Sequence, residues 1–110
     1  MPTKAHDLYW IMEERGLMIG SKVVHFSQRE WEILCTLRSL APVTYEYISR
    51  AVYNCRADEK VRIMLDKHID RIRVKLSKSG MYVHCVLGYG YVLLPSTAVK
   101  KGKAGSPNEN

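Results

Sequence analysis

The stretch from Arg62 to Leu76 constrains this chain more than any other, because its pattern is that of a helix with two different faces. Apolar side chains recur at spacings of four, four, three and four, which aligns them along one side of an α-helix: Val61, Leu65, Ile69, Ile72 and Leu76. At about 100° per residue, the opposite side is mainly basic and carries Lys60, Lys67, Arg71 and Lys78, with Ile63, Asp70 and Val74 among them. We therefore predict a core helix with a basic outer face.

The charge of the chain is concentrated around this helix. The 110 residues hold 17 Lys and Arg against 11 Asp and Glu, a net charge of +6. Residues 56–78 alone contain eight positive and four negative side chains. This balance suits a protein that meets a polyanion, either nucleic acid or an anionic membrane surface. Many mildly basic proteins bind no DNA, so the charge supports this interpretation without deciding it.

Several classes of protein are not expected. The chain has no run of 18 apolar residues and no basic segment leading into an apolar one, so we expect neither a membrane span nor a signal peptide. Cys35, Cys55 and Cys85 form no Cys-x-x-Cys pair, and we expect reduced thiols in or near the core, with no metal and no cofactor. His84 and Cys85 are neighbours in a predicted strand and should point to opposite faces, so they cannot form a catalytic pair. We predict a non-enzyme.

Short apolar runs near the N-terminus predict an antiparallel sheet within residues 8–26, although residues 8–15 also fit a helix. Residues 27–30 form a capping box that begins a helix over about 28–40, which should bury Trp31, Leu34, Cys35 and Leu37. Pro42 ends this helix.

Two further helices and a hairpin follow. Thr44 is a candidate N-cap for a helix over about 44–53, and Asp58 for one over about 58–77. Residues 81–94 are predicted to form a β-hairpin, with Gly88 and Gly90 permitting its turn. We predict one domain over residues 1–94 and a disordered basic tail over 95–110, which is rich in Pro, Ser, Gly, Lys and Asn.

Four ordered segments resemble the OmpR/PhoB-type DNA-binding domain of bacterial response regulators. Residues 26–31 (FSQREW) are similar to that family's Leu-Thr-x-x-Glu-Phe, and residues 43–48 (VTYEYI) with 52–53 (VY) are similar to its second helix. Residues 66–76 (DKHIDRIRVKL) match its recognition-helix pattern Asp-Val-His-Ile-x-Arg-Leu-Arg-x-Lys-Leu. Residues 86–91 (VLGYGY) match its wing pattern Val-Arg-Gly-x-Gly-Tyr. The resemblance covers about residues 8–94.

The resemblance implies an α+β winged helix-turn-helix with a short N-terminal antiparallel sheet, three helices and a C-terminal hairpin wing. Too few residues precede the first helix for a receiver domain, so we expect a stand-alone effector domain. The implied function is sequence-specific binding of double-stranded DNA by a transcription regulator, with the third helix in the major groove and the wing on the minor groove. The implied setting is the cytoplasm of a bacterial or phage-infected cell, at the nucleoid. The protein would be a monomer when free and a tandem pair on DNA, with RNA polymerase as a further partner.

The resemblance also assigns candidate site residues. The base-reading set is Lys67, Asp70, Arg71 and Val74, and the set contacting the DNA backbone is Arg62, His68, Arg73, Lys75, Gly88 and Tyr91. The candidate polymerase contact is Asn54, Cys55 and Arg56.

Plainer roles remain open for several of these residues. Arg71 could be a solvated surface side chain, and Asp70 could pair with Lys67 or orient Arg71. Val74 could pack on the wing, and Tyr91 could simply fill the core. Asp66 is expected to form an ion pair with Arg62, four residues before it.

The chain also departs from the family pattern. It has Ile63 and Met64 where the family has Arg-Thr, Leu87 where the wing has Arg, and Cys85 where the wing has Thr. These differences support an alternative function, a winged-helix protein-interaction module that acts as a polymerase adaptor or an anti-regulator with little base readout.

Overall fold

The computed structural model describes residues 8–97, which form three helices and six strands. The helices are α1 (Gln28–Thr36), α2 (Tyr45–Tyr53) and α3 (Glu59–Lys75). The strands are β1 (Leu8–Ile11), β2 (Gly16–Ile19), β3 (Lys22–His25), β4 (Val43–Thr44), β5 (Met81–Val86) and β6 (Gly90–Pro95). No described helix is long and apolar enough to cross a membrane.

The N-terminal strands form the predicted antiparallel sheet, in the order β1-β2-β3. The alternative helix over residues 8–15 is wrong, apart from a single 3₁₀ turn over Met12–Glu14. Side chains in β1 alternate between the two faces of the sheet, as expected for a strand. Trp10 lies against Trp31 of α1 with ring centroids 5.6 Å apart, while its neighbour Tyr9 is exposed. The sheet therefore packs one face on α1.

Helix α1 begins as predicted but ends early. The Ser27 hydroxyl accepts from the Glu30 amide at 3.3 Å, and the Glu30 carboxylate accepts from the Ser27 amide at 2.8 Å. The predicted end near Leu40 is wrong, since the helix stops at Thr36, whose hydroxyl donates to the Ile33 carbonyl at 2.6 Å. The following turns are tighter, and Leu40 adopts a positive φ of 60° that no helix continues through.

The buried face of α1 is largely the predicted one. Trp31, Leu34 and Leu37 are buried as expected, whereas Cys35 is only partly buried. Ile33, which the prediction did not include, is fully buried.

Helices α2 and α3 have the predicted N-caps. The Thr44 hydroxyl accepts from the Tyr47 amide at 3.0 Å, and Asp58 Oδ1 accepts from the Val61 amide at 2.9 Å. The predicted apolar face of α3 is buried along its whole length, from Val61 to Leu76. This face forms the centre of the core with residues of the other helices and both sheets, among them Leu17, Leu34, Ile48, Val83 and Leu93.

The hairpin belongs to a second sheet of order β4-β6-β5, and β4 was not predicted. Val43 and Thr44 pair with Tyr91 and Gly90 of β6. A Cβ on Gly90 would lie 1.8 Å from the Val43 carbonyl oxygen, so glycine is required there by the approach of β4. The prediction that Gly90 is needed for the turn is therefore wrong. Gly88 is needed there, because it adopts a positive φ of 74° in the turn.

His84 and Cys85 lie on opposite faces of β5, as predicted. His84 is buried and Cys85 is exposed, so the prediction of thiols in or near the core is wrong for Cys85.

The prediction that the disordered tail starts at Pro95 is wrong there, because Pro95 pairs with Met81 as the last residue of β6 and the Ser96 amide donates to the Gly80 carbonyl at 2.9 Å. The residues of the predicted tail from 98 onward lie outside the described part of the chain.

Candidate nucleic-acid interface

Helix α3 presents an exposed face whose central cations are free. Within residues 8–97, neither Lys67 nor Arg71 forms a hydrogen bond or an ion pair with another side chain. Val74 is 73% exposed and Ile63 52% exposed on the same face, so Val74 does not pack on the wing. This face carries two unneutralised positive charges beside apolar side chains, which fits the hydrogen-bond acceptors and methyl groups of DNA base edges.

Asp70 has a different partner from those considered in the sequence. Its Oδ1 atom lies 3.2 Å from Nη1 of Arg73, one turn further along α3. Neither Lys67 nor Arg71 is bound by it, and its side chain remains 71% exposed. The carboxylate therefore leaves the two central cations available.

Arg73 connects α3 to the outgoing strand of the hairpin. Its Nε atom donates to the Val83 carbonyl at 2.9 Å, and its guanidinium lies 5.0 Å from the centre of the Tyr82 ring. Only 24% of its side chain is exposed. Arg73 therefore attaches strand β5 of the wing to α3.

Tyr91 connects α3 to the returning strand. Its buried hydroxyl donates to the Asp66 carboxylate, and its ring meets Tyr45 edge-on with centroids 5.6 Å apart. Burial and this hydrogen bond raise the pKa of Tyr91 well above its usual value, so the hydroxyl stays protonated and continues to donate. The core role considered for Tyr91 is the one that the structure shows.

Arg62 does not form the expected ion pair with Asp66. Its guanidinium instead lies 4.0 Å from the centre of the Tyr45 ring. Asp66 instead accepts from the Tyr91 hydroxyl, so the predicted helical pair is wrong. Tyr45, which the sequence did not single out, therefore joins the start of α2 to the first turns of α3.

The two remaining side chains of the predicted backbone set, Lys75 and His68, also have partners. Lys75 Nζ lies 2.6 Å from Oε1 of Glu30, which links the end of α3 to the start of α1. Burial acts to raise the pKa of Glu30, but hydrogen bonds from Lys75 and Ser27 outweigh it and keep the pKa below its usual value. His68 Nδ1 lies 3.0 Å from the Tyr53 hydroxyl and 3.1 Å from the Met64 carbonyl oxygen.

The predicted site residues thus separate into two groups. Among residues 8–97, Lys67 and Arg71 have no side-chain partner, whereas a second group has partners within the protein: Arg62, His68, Asp70, Arg73, Lys75 and Tyr91. Sequence spacing carries no signal for this division, because most of the partners belong to other helices and strands.

The hairpin tip lies beside the N-terminal half of α3. The Tyr89 amide donates to the Val86 carbonyl at 2.8 Å, and the Tyr45 amide donates to the Tyr89 carbonyl at 3.0 Å. Since Tyr45 also contacts Arg62, the tip is connected to α3 through the start of α2. Leu87 at the tip is 94% exposed.

The connection between α2 and α3 is short and ordered. Asn54 ends α2 in the left-handed conformation with a φ of 57°, and the Ala57 amide donates to Oε1 of Glu46 at 3.1 Å. This hydrogen bond and the one from Arg50 lower the pKa of Glu46. Asn54 and Arg56 are exposed and Cys55 is partly buried. Among the described residues, no group of His, Cys, Asp and Glu could hold a metal ion.

Comparison with solved structures identifies the fold. A structure described as a novel family of redox sensors in the streptococci, evolved from two-component response regulators, is 26% identical with a TM-score of 0.65, and the match covers 86% of this chain. The C-terminal domain of NsrR, a lantibiotic response regulator, is 25% identical with a TM-score of 0.64, over 79% of this chain and 91% of that domain. The Klebsiella pneumoniae RstA DNA-binding domain, solved in complex with the RstA box, is 18% identical with a TM-score of 0.68, over 84% of this chain and 96% of that domain.

These similarities confirm the resemblance read from the motifs. The chain has the winged-helix fold of OmpR/PhoB-type DNA-binding domains. The chain spans 42% of the length of the streptococcal protein that it matches. No family model and no curated protein matches the sequence.

Proposed function

We propose that this chain, which has the winged-helix fold of OmpR/PhoB-type DNA-binding domains, is a transcription regulator that binds double-stranded DNA in a sequence-specific manner. In this proposal α3 enters the major groove and the β5–β6 hairpin lies along the adjacent minor groove. The protein would act at the nucleoid, in the cytoplasm of a bacterial or phage-infected cell.

The observation that carries the proposal is the unpaired state of Lys67 and Arg71 on the exposed face of α3. The helix is 17 residues long, or about 25 Å, and its opposite face is buried, so the exposed face is presented as a rigid surface. Arg71 offers the bidentate donor pair that recognises guanine, and Lys67 offers a single strong donor. Val74 is exposed and suits a thymine methyl group.

Asp70 remains a base-reading candidate in a second role. Its exposed carboxylate can accept from a cytosine amino group while it keeps its hydrogen bond to Arg73. Lys60 in the first turn of α3 and Lys78 just after its end are exposed, and we add them as candidates for contact with phosphates. The predicted backbone contacts that already have partners would reach the DNA backbone only by sharing or exchanging those partners: Arg62, His68, Arg73, Lys75 and Tyr91. Gly88 would contact the DNA backbone through its main chain.

The test is a fluorescence-anisotropy titration of the protein with duplex DNA. Binding to random-sequence duplex at low salt, followed by selection of a preferred site from a random pool, is the expected result. The double variant Lys67→Ala/Arg71→Ala should lose most of its preference for that site. Lys22→Ala, which removes an exposed charge from β3, is the matched control and should bind nearly as the unaltered protein does. Absence of binding at low salt would refute the proposal.

We also propose that the free protein is a monomer and that two copies bind DNA in the same orientation. Copies on one face of B-DNA would lie about 10–11 base pairs apart, one helical turn. Sedimentation of the free protein and footprinting on the selected site test both statements. A micromolar dimer bound to an inverted repeat would contradict them.

The segment Asn54, Cys55 and Arg56 is our candidate for contact with RNA polymerase, since it is exposed in part and belongs to the connection between α2 and α3 rather than to α3 or the hairpin. Arg56→Ala should then keep DNA affinity while changing transcription from a promoter that carries the selected site. An unchanged transcription level would remove this segment from the proposal.

The exposure of Ile63 and Leu87 favours a second candidate function, a winged-helix module that binds a protein, as an RNA polymerase adaptor or an anti-regulator. The same titration separates the two, because such a module would have little sequence preference on DNA. The unpaired cations of α3 favour the DNA-binding function.

A further inference from the structure

The hairpin tip exposes one large apolar side chain that nothing in the fold explains. Leu87 is 94% exposed, more than any other large apolar side chain that the structure describes, with Val74 next at 73%. It adds nothing to the core, and neither the predicted turn nor the sheet pairing requires leucine there. The position of Leu87 on the hairpin tip and the chemistry of the tip therefore decide which partner Leu87 can contact.

The tip holds Leu87 in a defined position. The turn is closed by the hydrogen bond from Tyr89 to Val86, and Gly88 adopts the positive φ that the turn requires. The carbonyl of Tyr89 is fixed by the Tyr45 amide at 3.0 Å. Leu87 is thus carried on an anchored turn rather than on a loose loop.

The path of the hairpin along α3 places this tip at one end of the candidate interface. Val83 in β5 lies against Arg73 near the end of α3, while Tyr91 in β6 lies against Asp66 near its middle. The tip follows beside the N-terminal half of the helix, where Tyr45 contacts both Tyr89 and Arg62. In the proposed function α3 occupies the major groove, and a hairpin that runs alongside this helix would carry its tip to the flanking minor groove.

The hairpin is also uncharged. Residues 81–95 contain no Lys, Arg, Asp or Glu, and the one histidine among them, His84, is buried. A protein reads a narrow minor groove electrostatically by inserting a cation, which this tip lacks. Leu87 is the most exposed side chain of the tip and offers only apolar contact, while Tyr89 adds a half-exposed ring with a hydroxyl.

We propose that Leu87 enters the minor groove next to the α3 site as an apolar wedge between two base pairs, and that this insertion bends the DNA. The proposal rests on the proposed function and adds a specificity residue to it. Leucine is one of the side chains that partly unstack a base step and kink the duplex toward the major groove. The cost of unstacking is lowest at pyrimidine–purine steps, so Leu87 selects a TA or CA/TG step at that position without hydrogen-bonding to a base.

The test compares Leu87→Ala, Leu87→Arg and the control Met12→Ala on the site selected by the unaltered protein. Met12 is an exposed apolar residue in the 3₁₀ turn between β1 and β2, outside the sheet that contains the hairpin. Affinity is measured by anisotropy at several salt concentrations. The bend is measured by energy transfer between dyes at the two ends of the duplex.

Leu87→Ala should bind about tenfold more weakly, as expected for loss of a buried leucine side chain. The Leu87→Ala variant should also lose the DNA bend and the preference for the pyrimidine–purine step. The salt dependence should not change, because no charge is removed. Leu87→Arg should remove the bend, favour an A-tract instead, and steepen the log–log salt slope by about 0.9. Met12→Ala should leave all three properties unaltered.

The outcomes separate this inference from the proposed function. If Leu87→Ala binds and bends DNA like the unaltered protein while Arg71→Ala loses its preference, the wedge is refuted and the proposed function stands. In that case Leu87 is left as a protein contact. If the unaltered protein binds no duplex, both are refuted.

Discussion

The Tyr91 hydroxyl donates to the Asp66 carboxylate, and this hydrogen bond attaches the returning strand of the wing to the middle of α3. Arg73 attaches the outgoing strand through the Val83 carbonyl. The two contacts are made by different strands to different turns of the helix, so together they set the angle between wing and helix. The position of the hairpin tip therefore depends on both of them.

Tyr91→Phe should lower the free energy of unfolding by about 1–2 kcal/mol, because it removes one hydrogen bond to a carboxylate and leaves the packing of the ring intact. Urea denaturation followed by circular dichroism measures the change. Tyr47→Phe, which removes an exposed hydroxyl with no side-chain partner among the described residues, is the matched control. Equal stability of the two variants would show that the Asp66 contact contributes nothing.

Arg71→Ala should weaken binding to the selected site by about 1–3 kcal/mol and relax the preference at one base position. Its effect on unfolding should stay within about 0.5 kcal/mol, since the side chain is exposed and unpaired within residues 8–97. Anisotropy and urea denaturation give the two numbers. A variant that keeps wild-type affinity and sequence preference would exclude Arg71 from base reading.

Arg73→Ala should show a different profile from Arg71→Ala, although the two arginines are only two residues apart. Loss of the hydrogen bond to Val83 and of the stacking on Tyr82 should lower the free energy of unfolding by about 1–3 kcal/mol. Urea denaturation measures the change in stability, and anisotropy measures the change in DNA affinity. If Arg73→Ala were as stable as Arg71→Ala, its anchoring role would be excluded.

Ser49→Ala should stabilise the protein by about 1 kcal/mol. The Ser49 hydroxyl is fully buried in α2 and has no hydrogen-bond partner in the structure, so its removal relieves a desolvation cost and improves helix propensity. Thermal and urea denaturation measure the gain, with the exposed Ser39→Ala as control. A loss of stability would mean that the hydroxyl makes a bond that the fold needs.

Stability should fall below neutral pH because of His84. Burial lowers the pKa of His84 below its usual 6.5, and the positive charge of Arg73 adds to the effect, while hydrogen bonds to the carbonyls of Pro95 and Leu94 oppose it. Above pH 6.5 both states are neutral at this residue. As the pH falls through 6.5, the unfolded chain takes up a proton that the native state does not, so the free energy of unfolding decreases.

Denaturation of the protein and of His84→Gln between about pH 8 and pH 5.5 tests this effect, because the variant lacks the titrating group. The stability difference between the two proteins should change with pH over this interval. Parallel pH profiles would contradict the prediction.

The sequence by itself determined the features that depend on neighbours within about one helical turn. The N-caps Ser27, Thr44 and Asp58 accept from amides three residues ahead, and these interactions follow from local geometry. The apolar spacing of α3 likewise identified both its buried face and its exposed basic face, since helical periodicity alone assigns the sides.

Only the tertiary structure decided the partners between elements. Strand β4 has two residues and exists because β6 lies beside it, and Gly90 is explained only by that approach. Lys75 and Glu30 are 45 residues apart, so no local pattern could pair them.

Asp70 shows most directly that helical spacing alone cannot choose between two possible ion pairs. Lys67 and Arg73 each lie three residues from it, and helical spacing permits either pair. Strand β5 holds Arg73 through the Val83 carbonyl, which brings its guanidinium to Asp70 and leaves Lys67 and Arg71 free on the outer face of α3.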